Sequence, residues 1–252
     1  MRRLFFVCLL IIGLPVFSAA TEVSLDDVIK TLEVPFQQHT QEAEKIIDFQ
    51  AGFTQESRIA SINRVQYGEG TVRFRFVSAH SGHAPLAKFR WDYQQPTIQE
   101  IISDGRLMWV YLPDNKQVIE SDISHLDAQQ SENPVTFLSA LGNLSRDFLI
   151  DWGVTQTDEE GNFLLSLKPR KESQLIQRME VVVNKNAVFE WRNQHKTGDK
   201  FPILSTLVTD QQGNQTLIRF QQIKVNQNLP DHLFTFVKPN DVELVTPEQM
   251  AF

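Results

Sequence analysis

Cysteine is nearly absent: Cys8 is the only one in the chain, and it lies inside an apolar run close to the amino terminus. With that run removed no thiol remains, which excludes disulfides, cysteine-ligated metals and a cysteine nucleophile. Such a chain holds its fold by packing alone, and 252 residues suffice for one β-domain with a large core. Catalytic motifs are missing as well. No serine stands in a Gly-x-Ser-x-Gly elbow, and there is no phosphate-cradling glycine loop or dinucleotide fingerprint. The carboxylate pair Glu159-Glu160 belongs to a turn rather than to facing strands. The chain is accordingly read as a non-enzyme that needs no cofactor. A basic stripe is also lacking. The formal net charge is −7, which repels phosphate backbones and argues against a nucleic-acid partner or an anionic bilayer surface.

What is present begins with Arg2 and Arg3, an apolar run from Leu4 to Leu14, Pro15, and the small-residue stretch Phe17-Ser18-Ala19-Ala20. This is the layout of a cleavable secretory leader, because the run is short of the roughly 20 residues a spanning helix needs. Cys8 lies in the middle of the run, not in the small-residue context of a lipid-modified cysteine. The expected division is a leader over 1–20, cut after Ala20, and a single domain over 21–252 exported out of the cytoplasm.

Beyond the leader, Leu25, Val28, Ile29 and Leu32 recur at helical spacing behind Ser24, a predicted N-cap. Pro35 interrupts this helix, and a second is predicted from Phe36 to Asp48 with Ala43, Ile46 and Ile47 on its apolar side. From Phe49 the period changes to two: Phe49, Ala51 and Phe53, then Val72, Phe74 and Phe76, then Phe89, Trp91 and Tyr93 alternate with polar neighbours. Phe163/Leu165/Leu167, Met179/Val181/Val183 and Phe234/Phe236 continue the pattern. Ser103-Asp104-Gly105, Pro113-Asp114-Asn115, Glu160-Gly161-Asn162 and Gln212-Gly213-Asn214 read as hairpin turns. An antiparallel meander is the simplest topology. One helix is predicted from Pro134 to Leu144, where Val135, Leu138, Leu141 and Leu144 are three residues apart. Ser78 to Pro85 reads as a loop whose His80 and His83 are solvated rather than metal ligands, since no third ligand is assignable.

The sequence contains 18 Phe, and two neighbouring strands carry four further-reaching aromatics, Phe89, Trp91, Trp109 and Tyr111. Alternation is the same for a close-packed core and for a curved sheet whose apolar face admits a lipid, so both readings stand at this point.

At these residues the chain resembles the periplasmic outer-membrane lipoprotein carriers, the LolA-type family. The features that carry the resemblance are Phe49-Gln50-Ala51-Gly52-Phe53-Thr54-Gln55, Gly68-Glu69-Gly70, Phe89-Arg90-Trp91-Asp92-Tyr93, Gln95-Pro96, Ser103-Asp104-Gly105, Trp109-Val110-Tyr111, the Pro134 helix, and Phe234-Thr235-Phe236 before Pro239. The resemblance implies a mostly β fold with an α lid: a single antiparallel, unclosed (half) β-barrel covered by short helices. It implies a non-catalytic monomer in the periplasm that takes the acyl chains of a lipoprotein, or another amphiphile, into a hydrophobic cavity. The implied partners are an inner-membrane ATP-driven releaser and an outer-membrane receptor. The residues it points to as lipid-contacting are Phe74, Phe76, Phe89, Trp91, Tyr93, Trp109 and Tyr111 on strands, with Leu138 and Leu141 from the cover; no metal is implied. One departure stands out. Where family members commonly carry an Arg-Pro pair thought to latch the lid, this chain has Phe76-Val77, or Ala84-Pro85 if Ser78 to His83 is an insertion. Neither offers a guanidinium, which implies a different control of cargo handover.

Overall fold

The computed structural model describes residues 22–37, 39–76, 87–123, 137–173 and 175–245. The expected leader, the Ser78–Pro85 loop with its two histidines, and the first residues of the Pro134 helix lie outside them. Period-two alternation produces twelve strands: β1 (Asp48–Ile59), β2 (Arg64–Arg75), β3 (Lys88–Gln95), β4 (Gln99–Ser103), β5 (Leu107–Leu112), β6 (Gln117–Asp122), β7 (Phe148–Thr157), β8 (Phe163–Pro169), β9 (Arg178–Val183), β10 (Ile203–Thr209), β11 (Gln215–Val225) and β12 (Glu243–Val245). They form one sheet in the order β12-β6-β5-β4-β3-β2-β1-β11-β10-β9-β8-β7, whose end strands β12 and β7 do not pair with each other. The sheet is antiparallel except where β12 runs parallel to β6. It is thus two meanders, β1–β6 and β7–β11, joined because β11 returns to pair with β1, rather than the single meander that alternation suggests.

The hairpin turns form where the sequence places them, and two share one recipe. Asp158 Oδ1 accepts from the backbone N–H groups of Glu160 and Asn162, and Asp210 Oδ1 accepts from those of Gln212 and Asn214. Gly161 and Gly213 supply the positive φ that each turn needs, 83° and 80°.

Helices and turns pack on one face of the sheet. α1 (Leu25–Glu33) starts at Ser24 as expected, in a capping box: Asp27 N–H donates to Ser24 Oγ, and Ser24 N–H donates back to Asp27 Oδ2. A 3-10 turn, Val34–Phe36, follows with Pro35 inside it. Among the described residues, the helix expected from Phe36 to Asp48 does not form, and a 3-10 turn, Glu42–Glu44, stands in its place. Ile46 N–H donates to Pro35 O, turning the chain back, and Ala43 is exposed, so this stretch has no continuous apolar stripe to bury.

The expected Pro134–Leu144 helix is broken in its described part. Leu138–Ala140 is a 3-10 turn, Gly142 has φ 99°, and a short helix, α2 (Leu144–Asp147), follows. Residues three apart align in a 3-10 turn as well as in an α-helix, so the spacing of Leu138, Leu141 and Leu144, all of them buried, does not tell the two apart. Phe234 lies in a 3-10 turn, Asp231–Phe234, not in a strand. Unforeseen was α3 (Lys185–Gln194), inserted in the β9–β10 hairpin and capped by Asn184, whose side chain accepts from Asn186 N–H.

Candidate functional site

Register decides what shares a face. β1 presents Phe49, Ala51 and Phe53 against Phe74, Val72 and Gly70 of β2, and β2 sets Phe74 against Phe89 and Val72 against Trp91 of β3. On the other side of β1, Phe53 faces Phe220 and Gln55 faces Ile218 of β11. The ladder continues through Val181 and Met179 of β9 to Leu165 and Leu167 of β8 and to Trp152 and Ile150 of β7. This inner face is one apolar cluster. Its centre is aromatic. Phe49 stacks on Phe74 at 5.3 Å, Phe74 on Phe89 at 5.4 Å, and Phe53 meets Trp91 edge-on at 4.8 Å, within the range of favourable ring pairs. Gly70 makes this possible. A Cβ there would lie 1.9 Å from Asp92 O, and the missing side chain lets Phe53 and Tyr93 approach to 4.9 Å across β2.

The cover is built from α1, the Val34–Phe36 turn, the 138–147 segment, α3 and the residues after it. Val28, Leu32, Leu138, Leu141, Leu144 and Val188 of these elements are buried in the same cluster, with Phe36 packed against it. Phe201, which follows α3, stacks on Phe49 at 4.0 Å, and Phe36 meets both Phe76 and Phe201 edge-on. Polar contacts among the described residues link the cover's pieces. Glu33 Oε1 accepts from Ser145 N–H, Gln37 Nε2 donates to Gly142 O, and Arg192 pairs with Asp27 at 3.5 Å.

Seven of the nine sequence-predicted contact residues meet in this cluster. Phe74, Phe89 and Trp91 are fully buried and Leu138 and Leu141 nearly so, while Phe76 and Tyr93 pack at its border. With the cover in place these residues are close-packed, so core and lining are one set in this form of the molecule. Burial pushes the Tyr93 phenol up to about 12, and its Oη–H donates to Gln55 Oε1 at 2.7 Å. Trp109 and Tyr111 are a correction. Trp91 pairs with Ile101, which pairs with Val110, so Val110 and Met108 carry the inner face while Trp109, opposite Ile102, points the other way. A shift of one residue in parity reverses every side chain of a strand. Trp109 and Tyr111 instead pack on Phe236, at 6.0 and 5.6 Å, where the C-terminal segment crosses the outer face. Phe36, Phe201 and Phe220 were not picked out. Phe220 was available from the alternation Ile218-Phe220, whereas Phe36 and Phe201 lie outside strands, where no period marks them.

The outer face is ionic over β2–β4: Arg73 and Arg90 share Asp92 at 2.6 and 2.7 Å, and Arg90 also reaches Glu100 at 2.8 Å. Over β8–β11 it holds a cleft of about 640 Å³ floored by Leu164, Val182, Leu207 and Leu217 beside Arg219. The cleft's wall is Gly153–Thr155 of β7, where the β7–β8 register shifts between Trp152 and Thr157.

Among known proteins, the family described as "Outer membrane lipoprotein carrier protein LolA" matches residues 44–237. The chain belongs to this family. A LolA-family relative from Hahella chejuensis, an "Outer-membrane lipoprotein carrier protein", is 27% identical over 78% of this chain and 81% of its own length. One of the same name from Legionella pneumophila is 24% identical over 97% of this chain and 99% of its own. The crystal structure of a LolA superfamily protein from Nitrosomonas europaea covers 85% of this chain and 99% of its own, with 16% identity and a TM-score of 0.41.

Proposed function

We propose that this protein is a periplasmic carrier that shields the acyl chains of lipoproteins between its inner face and its cover, and ferries them from the inner to the outer membrane. The observation that carries the reading is the largely apolar inner face, running from β5 through β1 to β7 under a layer of short elements. Its membership of the LolA family and the names of its relatives support the choice of cargo. An acyl chain of about fifteen methylenes left in water costs on the order of 12 kcal/mol, at about 0.8 per methylene, so no free lipoprotein crosses an aqueous gap. The cover packs on the apolar face when the protein is empty and yields that surface when it is loaded. Neither step breaks a covalent bond, so the protein acts without catalytic groups. It works as a monomer after its leader is cut, receiving cargo from an ATP-driven inner-membrane releaser and delivering it to an outer-membrane receptor.

The test is a transfer assay: inner membranes carrying a labelled acylated lipoprotein are incubated with ATP and the purified protein, then with outer membranes. Label is expected first in a soluble complex with the protein and then in the outer membranes. Label that stays in the inner membranes overturns the reading. A second reading, another lipid or glycolipid as cargo, is favoured by Phe76, which packs against Phe36 where the resemblance leads one to expect a latching arginine. Mass spectrometry of an organic extract of protein taken from its native compartment separates the two.

A further inference from the structure

The inner face is built almost entirely of side chains without polar atoms, and Phe fills it at Phe53, Phe74 and Phe89, the neighbours of Trp91. Trp91 is as buried as they are, yet its indole Nε1 has no hydrogen-bond partner. Rings surround it: Phe53 at 4.8 Å, Phe74 at 6.2 Å and Phe220 at 6.3 Å. A buried donor left unpaired is costly and rare in folded proteins. Phe at this position would fill much of the same space without that penalty. Tyr93, two residues along the same strand, packs at the border of the cluster, and its hydroxyl is already engaged by Gln55. Two residues of strand span about 7 Å, so the Trp91 position lies one side-chain layer in from that border residue.

That depth suits one chemical group. An acyl chain linked through an ester or an amide carries its carbonyl at its head, so a chain inserted from the rim brings a strong acceptor to the outermost apolar layer and only methylenes below it. Resting on the acyl-carrier reading above, we propose that the Trp91 indole N–H donates a hydrogen bond to the carbonyl oxygen of a bound acyl chain, and so selects ester- or amide-linked acyl chains over alkyl chains of equal length. The donor is unpaired in the empty protein, so the bond it forms with cargo replaces none within the protein. Specificity follows because an ether-linked chain lacks the carbonyl and offers the buried N–H only a weaker acceptor, its ether oxygen.

The experiment compares a lysophosphatidylcholine with its ether analogue, which has the same headgroup and chain length and lacks only the carbonyl, by displacement of a fluorescent alkyl probe. The unaltered protein is expected to bind the ester roughly tenfold more tightly than the ether, the scale of one buried hydrogen bond. Trp91→Phe is expected to abolish the preference, so that the variant binds the ester and the ether with equal affinity. In the unaltered protein the Trp91 indole proton resonance is expected to move downfield with the ester and not with the ether, a reading that stands even if Trp91→Phe fails to fold. Equal affinities in the unaltered protein, a preference that survives Trp91→Phe, or an indole resonance indifferent to the carbonyl each overturn the inference while leaving the carrier reading intact. Binding of neither lipid overturns the carrier reading, and the inference with it.

Discussion

The two faces of one sheet are made by the same strands and behave as different materials. On β2 and β3, Val72, Phe74, Phe89 and Trp91 face inward and are fully buried, while Arg73, Arg90 and Asp92 between them face outward in an ion-pair ladder. The inner face cannot remain in water, so it must be covered by the protein itself or by cargo. The outer face satisfies its charges in place, Arg73 and Arg90 on Asp92 and Arg90 on Glu100. A carrier built this way can change what lies on one side of the sheet without disturbing the other, because the backbone hydrogen bonds of the sheet are common to both.

The comparison is broken most directly at adjacent residues. Phe74→Ala is expected to cost about 3 to 5 kcal/mol, as large-to-small changes in a closed aromatic core do, whereas Arg73→Ala, one position along, is expected to cost about 1 kcal/mol or less because its pair with Asp92 is partly solvated. Urea unfolding of both variants measures this, and equal losses would mean that the two faces contribute alike.

A smaller effect is expected from pH. Burial holds the Tyr93 phenol protonated up to about 12 in the folded protein, while in the unfolded chain it ionises near pH 10. The folded state therefore binds the proton over this window, and stability that is whole below about pH 10 falls as pH rises towards 12, by on the order of 2 kcal/mol. Alkaline unfolding compared with Tyr93→Phe checks it: the variant should lack this part of the loss.

Sharper still is a comparison of cover with wall. Phe36→Ala removes ring contacts with Phe76 and Phe201 at a half-buried position, so a loss of roughly 1 to 2 kcal/mol is expected, less than for a fully closed site. Stopped-flow exchange of an acyl probe should become faster in this variant. Unchanged exchange would mean that the Phe36 turn does not move with loading. The smallest effect is expected in the outer cleft. Leu207→Ser should leave acyl-probe affinity within about twofold of the unaltered protein, a change of roughly 0.4 kcal/mol, since Leu207 lines the outer cleft, on the side of the sheet opposite the proposed acyl site.

Much of this was legible in the chain. The hairpin turns were, because an Asp carboxylate that can reach two backbone N–H groups and a glycine at positive φ act within five residues. The start of α1 was, because Ser24 and Asp27 cap it locally. Alternation within single strands put Phe89 and Trp91 on one face of β3 and Val72 and Phe74 on one face of β2, without saying that the two faces are the same.

What failed was whatever depended on a distant partner. The stretch after Phe36 carries scattered apolar residues that could suit a helix, yet its backbone is held by distant partners: Ile46 N–H donates to Pro35 O and Ile47 N–H to Asn226 Oδ1. Trp109 alternates as regularly as Trp91, yet which face it joins depends on the β4–β5 register, and a hairpin of different register would have turned it inward. Phe201 gives no periodic signal, because its partner Phe49 is brought to it by the fold. Amino-acid order by itself determined the strands, their turns and the apolar character of one face, since these follow from interactions a few residues long. Tertiary structure alone decided which aromatics share that face, what covers it, and that the Trp91 indole N–H would be left without a partner inside it. Those outcomes depend on register and packing between segments far apart in sequence, which no local pattern encodes.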